Sequence, residues 1–325
     1  MCRLLIRYAC LAAAVLLLNF ALPRLLPGDP LDLEASDGLN AAVAPLTTAQ
    51  RLQLREQYRL DRPLAEQFVQ YLSDLARGDL GWSISRAAPV GALVAQRLPW
   101  TVGLVLAATL VSALGGTALG LLAAWRGGQL ERLVVGAAAG LAALPEFLVA
   151  MALLLALSVG TGWFPLQGAR TAFAAQPPGL LGWLETALDL SWHAALPAAT
   201  LALTATAPFV LLTHGAVRQV LLEPYLTTAR AMGLSGARVA WRHALPNALP
   251  PVLTLFGLRL GHVLGGAIVV ERVFALPGLG LLGFEALRAR DYPVMQAVFL
   301  LASMAVLLAN LAADLAARRF VPGPA

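Results

Sequence analysis

The chain contains no lysine; all 23 of its basic residues are arginine. A Walker A loop places a lysine on the β- and γ-phosphates, so no such loop is present. Charge of either sign is scarce. Only 13% of the 325 residues are charged, against roughly 25% in soluble domains. With 59% hydrophobic residues and a mean hydropathy of +0.73, the composition is that of a membrane protein. Cysteine is limited to Cys2 and Cys10, both near the first apolar segment. They cannot build a disulfide framework, and no Cys/His cluster has zinc spacing, so no metal site is expected. The four histidines (His193, His214, His243 and His262) are scattered. Packing or interface roles are the default for each, with nickel binding as the alternative. H-E-x-x-H and G-x-S-x-G are missing, which argues against an intramembrane hydrolase and leaves no catalytic residue to name. An internal repeat is also missing, which argues against a stand-alone secondary transporter built from inverted repeats. The pI near 9.9 suggests nucleic acid at first sight. In a membrane chain an arginine excess reports orientation instead, and no nucleic-acid partner is expected.

What the sequence does contain is long apolar runs. A membrane-crossing helix needs about 20 mostly apolar residues. Six segments qualify: about 5–26, 101–125, 133–159, 196–217, 249–270 and 294–316. The expected fold is an all-α integral membrane protein with six transmembrane helices. Gly115, Gly116, Pro145, Pro208, Gly265 and Gly266 fall inside these runs, and membrane helices tolerate them where neighbours re-satisfy the backbone. The first run reads in two ways. Arg3 and Arg7 followed by Leu11–Leu18 fit a cleaved signal peptide. The lack of a clear A-x-A site, and the continuation through Pro23 and Leu25-Leu26, fit a retained span.

Arginine placement sets the expected orientation. With the N-terminus cytoplasmic, the inner segments hold Arg3, Arg7, Arg126, Arg132, Arg218, Arg230, Arg238, Arg242, Arg318 and Arg319. The short outer loops hold Arg170, Arg272, Arg288 and Arg290. Both termini are therefore expected in the cytoplasm. The chain divides into a first span (1–26), a long extracytoplasmic loop (27–99) and a core of five spans (100–325). In the loop, Thr47 and Gln50 offer a capping box. Leu64, Phe68, Tyr71, Leu72 and Leu75 share one helical face between Pro63 and Gly78. That face suits the membrane surface, a partner, or packing on the protein itself.

Two charges lie inside predicted spans, where each costs about 2.5–3.5 kcal/mol on insertion scales. Glu146 falls near the middle of the third span and Arg259 near the middle of the fifth. Two readings follow: the pair is structural glue, or one or both line a pathway, with Arg259 meeting a substrate carboxylate. Pairing, or contact with a partner subunit, is the favoured one. His262 shares the face of Arg259, and Gly261, Gly265 and Gly266 permit close helix contact nearby.

Residues 227–246, TTARAMGLSGARVAWRHALP, contain Arg230, Arg238 and Arg242 and no acid, yet sit between two spans. Helix is expected over 225–232, with a break at Gly233. A second short helix follows from an N-cap at Ser235 to Ala244. Leu234, Ala237, Trp241 and Leu245 would form its apolar face, with Arg238 and Arg242 together on another. Pro246 is expected to stop it. Such a helix suits docking into a groove on a cytoplasmic protein, or an interfacial position on anionic lipid.

This stretch resembles the signature loop of binding-protein-dependent ABC transporter permeases, E-A-A-x3-G-x9-I-x-L-P. The matching positions are Thr227-Thr228-Ala229, Gly233, His243, Leu245 and Pro246. Thr227 stands in place of Glu and His243 in place of Ile; the absence of that Glu is shared by peptide- and nickel-importing members. LLPGDPLD, YRLDRPLAEQFVQYL, RGDLGWSIS, ALPEF and ERVFALPGLGLLGFEALRARDYPVMQ, in this order, are similar to the first permease of dipeptide/oligopeptide/nickel importers. The resemblance implies the type I importer permease fold and an inner-membrane location. It implies a coupling loop at 218–248, carried by Thr228, Ala229, Arg230, Gly233, Arg238, Trp241, Arg242, Leu245 and Pro246. The implied partners are a second homologous permease, two ATP-binding subunits, an extracytoplasmic solute-binding protein and membrane lipid. ATP and Mg would sit on the ATPase subunits, with no cofactor on this chain. Peptide is the first choice of substrate and nickel or a metal chelate the second. A non-transport membrane scaffold is the remaining rival and predicts dispensable midplane charges. Gly278-Leu279-Gly280-Leu281-Leu282-Gly283 matches G-x-G-x-x-G. It follows a span rather than a strand and no acid lies about 20 residues on, so it reads as a backbone turn.

Overall fold

The computed structural model describes residues 2–25, 62–171, 179–261 and 267–320. Helices dominate, because a helix satisfies its own backbone where no water can. In chain order they are α1 (Cys2–Leu25), α2 (Leu64–Ala76), α3 (Val90–Arg126), α4 (Gly128–Ala142), α5 (Glu146–Leu153), α6 (Leu180–Val220), α7 (Pro224–Ala231), α8 (Leu245–Gly261), α9 (Ile268–Val273), α10 (Leu279–Arg288) and α11 (Tyr292–Phe320). A π-helical stretch, Leu154–Gly160, extends α5. A hairpin of two-residue strands, β1 (Trp82–Ser83) and β2 (Ala88–Pro89), precedes α3. By length and composition α3, α6 and α11 can each cross a membrane, and the pair α4–α5 forms a fourth span if counted as one broken helix. The predicted second, fourth and sixth spans are thus single helices. Of the predicted fifth span, 249–261 lie in α8 and 268–270 in α9, with 262–266 outside the described residues.

The third span is not the continuous helix expected from its hydropathy. α4 and the α5 unit meet at an angle of 102°. Pro145 supplies no N–H, and the residue before a proline is pushed out of the α region, so the chain turns at 143–145. Glu146 consequently opens a helix rather than sitting mid-helix.

The bundle is built on α3 and α6, long helices that approach closely. A Cβ on Gly116 would lie 2.6 Å from the Phe209 Cβ and 2.9 Å from the Thr206 carbonyl oxygen. On Gly120 it would lie 2.6 Å from the Val210 carbonyl oxygen. Glycine four residues apart is the pattern that lets membrane helices pack backbone to backbone. Ser112 adds a hydrogen bond to the Ala202 carbonyl at 2.8 Å.

α1 is bonded into this bundle along its length. Tyr8 donates to Asp314 of α11 at 2.9 Å, and Asn19 donates to the Tyr71 hydroxyl and to the Gln296 carbonyl. Arg24 stacks over Phe20 and reaches Gln67. The predicted face of α2 packs inward: Phe68 meets Phe20 edge-on at 5.1 Å, with Tyr71 beside it, while Leu64 stays exposed. α1 thus packs on α2 and α11 through these bonds.

At the hairpin end, buried Asp291 accepts from the Ser83 hydroxyl (2.5 Å), the Ser85 hydroxyl (2.7 Å) and the Ser85 amide (2.9 Å). Beside it the glycine-rich turn holds a second buried acid. Glu271 is 1% exposed. Its carboxylate accepts from Thr101 Oγ1 (2.6 Å) and the Leu281 amide (2.9 Å), and faces the Gly280 amide. A Cβ on Gly278 would sit 2.0 Å from the Glu271 Cδ. Gly278 and Gly280 of G-x-G-x-x-G therefore clear room for a carboxylate of this same chain at the start of α10, while Gly283 lies against Val298.

Candidate functional site

α6 ends at Val220 and the chain leaves the bundle. α7 follows, then Gly233 at φ +79°, where a side chain would be strained. Ser235 takes the N-cap position without a side-chain cap bond. Gly236–Arg238 then passes into a π-helical turn, Val239–Ala244, which runs directly into α8. The expected stop at Pro246 is therefore not made. Pro246 lies at the second position of α8, directly after the π turn. The Asn247 side chain donates to the His243 carbonyl at 2.8 Å. Asn247 also donates to the Tyr225 hydroxyl at 2.8 Å, tying α7 to the π turn.

The side of the loop that faces the bundle is apolar. Leu226, Ala229, Val239 and Ala244 form a buried cluster on which Trp125, Val220, Leu221 and Leu234 pack. Trp125, in the last turn of α3, lies 3.5 Å from where a Cβ on Gly236 would be. Leu121, Ala124, Val217 and Ala248 continue this core into the bundle. The loop thus stands on two posts, the ends of α3 and α6.

The opposite side differs from expectation. Ala237 and Trp241 are exposed, Leu234 and Leu245 only half-buried, while Val239, Ala240 and Ala244 are the buried positions. A π turn closes its hydrogen bonds five residues apart rather than four. The stripe drawn at α-helical spacing is therefore rotated, and Trp241 turns outward. It is 55% exposed and shares the free side with exposed Arg238 and Arg242. Neither arginine makes an ion pair among the described residues. Thr228 is exposed and bonds back to the Pro224 carbonyl. The Arg230 side chain and His262 lie outside the described residues.

Glu146 and Arg259 are brought within electrostatic reach, since the Arg259 charge acts on the Glu146 carboxylate. They make no ion pair with each other among the described residues, and Glu146 Oε1 is buried without a hydrogen-bond partner. Of the favoured reading, pairing or contact with a partner subunit, the direct pair is not formed among the described residues.

The described residues thus form a bundle with helices able to cross a membrane and an anchored loop that presents arginine and tryptophan outward. Residues 116–324 match the family of binding-protein-dependent transport system inner membrane components, and the chain belongs to that family. It is 37% identical over 302 residues to the glutathione transport system permease protein GsiC of Pectobacterium atrosepticum, covering 93% of this chain and 90% of that one. It is 36% identical over 299 residues to the "Probable peptide ABC transporter permease protein y4tP" of Sinorhizobium fredii, covering 91% and 90%. Its fold resembles a chain of the inward-facing MetNI methionine ABC transporter, with a TM-score of 0.53 and 20% identity over 70% of this chain and 96% of that one. The chain is an inner-membrane permease subunit of an ABC importer, a transport component rather than an enzyme. That replaces the reading as a stand-alone secondary transporter.

Proposed function

We propose that this subunit imports short peptides and takes its drive through residues 218–248. The observation that carries the proposal is Trp241, exposed between Arg238 and Arg242 on the free side of a loop whose other side is fixed to α3 and α6. An apolar ring flanked by guanidinium groups suits a groove on an acidic-rimmed partner. The partner is the ATP-binding subunit, which holds ATP and Mg; two such subunits serve this chain and a second homologous permease. A solute-binding protein delivers substrate from the opposite side, and both termini lie in the cytoplasm. Thr228, Arg238, Trp241 and Arg242 make the contact. Ala229, Gly233, Leu245 and Pro246 set the shape of the loop, and Arg230 adds to its positive charge. The names of the relatives, glutathione and peptide permeases, support a peptide substrate. Glu146 and Arg259, opposite in charge and not ion-paired with each other among the described residues, face the pathway and handle the charged ends of the peptide.

Crosslinking tests the docking. With Cys2 and Cys10 changed to serine, Trp241→Cys in the assembled transporter should form an adduct with the ATP-binding subunit. Leu181→Cys, near the start of α6, should not. No adduct from position 241 in a complex that contains the ATP-binding subunit would reject the docking site. For the charges, Glu146→Arg with Arg259→Glu separates the roles. Single variants that fold but lose uptake support the pathway, whereas folding lost in each single and restored in the double variant supports structural pairing.

A further inference from the structure

We infer that Glu131, His214 and Arg218 form a clasp that makes the two posts of the loop move as one body. The inference deepens the proposed coupling and rests on it. Glu131 lies one turn into α4, just after Gly127 and Gly128, both at φ +64°. These two glycines fold the chain back from the end of α3, within three residues of Trp125. His214 and Arg218 are one helical turn apart near the end of α6. Both reach the same carboxylate oxygen: His214 Nε2 lies 2.7 Å and Arg218 Nε 3.3 Å from Glu131 Oε1. Glu131 and His214 are about one-fifth exposed, whereas Arg218 is 54% exposed.

The position of the clasp gives its role. Within and directly beyond it, α6 supplies Val217, Val220 and its C-cap residue Leu221 to the cores under the loop. Directly before it, α3 supplies Leu121, Ala124 and Trp125 to the same cores. Apolar packing alone is non-directional and lets helices slide. A carboxylate held by two donors on successive turns fixes both the register and the rotation of α6 against α4. A push on the loop is then delivered to α3, α4 and α6 together. Without the clasp it is spent on moving α6 past α4. Glu131, His214 and Arg218 are thus positioning residues for transport.

The test uses the complete transporter, purified through a tag on this chain and reconstituted in vesicles. ATP hydrolysis and peptide uptake are measured in the same preparation. Glu131→Leu should leave hydrolysis within about twofold of wild type and lower uptake per ATP by about fivefold or more, the low end of coupling between sites. The exchange Glu131→His with His214→Glu should restore at least half of the loss. Arg218→Gln, at an exposed position, removes the ion pair and leaves the His214–Glu131 hydrogen bond, and should fold normally and show a smaller loss of uptake per ATP. Wild-type uptake per ATP in Glu131→Leu and Arg218→Gln would overturn the inference. So would losses of uptake and hydrolysis that track the yield of assembled complex. The double change Arg238→Ala and Trp241→Ala is the control for the underlying reading. If it leaves coupling intact, the loop assignment fails; if it uncouples while Glu131→Leu does not, only the clasp fails.

Discussion

Replacing Gly278 by alanine would set a methyl group 2.0 Å from Glu271 Cδ, far inside van der Waals contact. The carboxylate has to leave its cradle. Three donors then lose their acceptor: the Thr101 hydroxyl and the amides of Gly280 and Leu281. An orphaned buried donor costs about 1–3 kcal/mol. Partial rescue of Thr101 and entering water bring the expected total to about 3–5 kcal/mol. Glu271→Ala removes the same acceptor and should cost a similar amount. The informative variant is the double one. Once residue 271 is alanine, a methyl at 278 has nothing to displace. The double variant should match Glu271→Ala within about 0.5 kcal/mol instead of summing the two losses. Thermal unfolding of the detergent-purified protein, followed by loss of the monodisperse peak, reads all three. Additive losses, or a Gly278→Ala protein as stable as wild type, would refute the cradle.

Other outcomes follow from the same packing. Gly116→Ala and Gly120→Ala should destabilise the α3–α6 contact by about 1–3 kcal/mol, as overpacking does. Gly115→Ala, whose Cβ would meet nothing within 4 Å, should not; equal melting temperatures for the 115 and 116 variants would argue against this interface. Asn247→Ala removes the bonds to Tyr225 and to the His243 carbonyl, and hydrogen exchange in the π turn should rise while that in α3 stays unchanged. The Thr171 hydroxyl and amide hold the carboxyl of Asp189, in the first turns of α6 ahead of the apolar run 196–217, below the ordinary aspartate value. That tie is in place above the unfolded value and is lost as pH falls through the folded one. Carboxyl NMR shifts should show a low titration midpoint that moves up in Thr171→Val.

How much of this was legible depends on the physics behind each feature. Hydropathy located α1, α3, α6 and α11, because in lipid an apolar run of sufficient length has one stable backbone solution. It could not show the bend at Pro145, where local sterics override an unbroken apolar run. In the loop, Gly233 marked the helix break through its left-handed backbone. The apolar face was misdrawn because periodicity assumes α geometry, and the π turn at Val239–Ala244 shifts the phase and sends Trp241 outward. Glu131, His214 and Trp125 carried no sequence signal of their own, since their meaning is a contact between segments. From sequence the G-x-G-x-x-G stretch reads only as a backbone turn. Its actual task, clearing space for Glu271, depends on a side chain that points back across a turn.

The central claim is that the loop with Trp241 and Arg238 is where ATP-driven force enters this subunit. The most direct measurement is purification of the tagged chain from its native membrane in mild detergent, with identification of what accompanies it and assay of ATP hydrolysis. The same is then done with Arg238 and Trp241 both changed to alanine. The account predicts a second permease and ATP-binding subunits with the wild type. The variant should keep the second permease and lose either the ATP-binding subunits or the link between hydrolysis and uptake. A well-folded wild-type chain that emerges alone and without ATP hydrolysis in several detergents, or a double variant that couples normally, would contradict it.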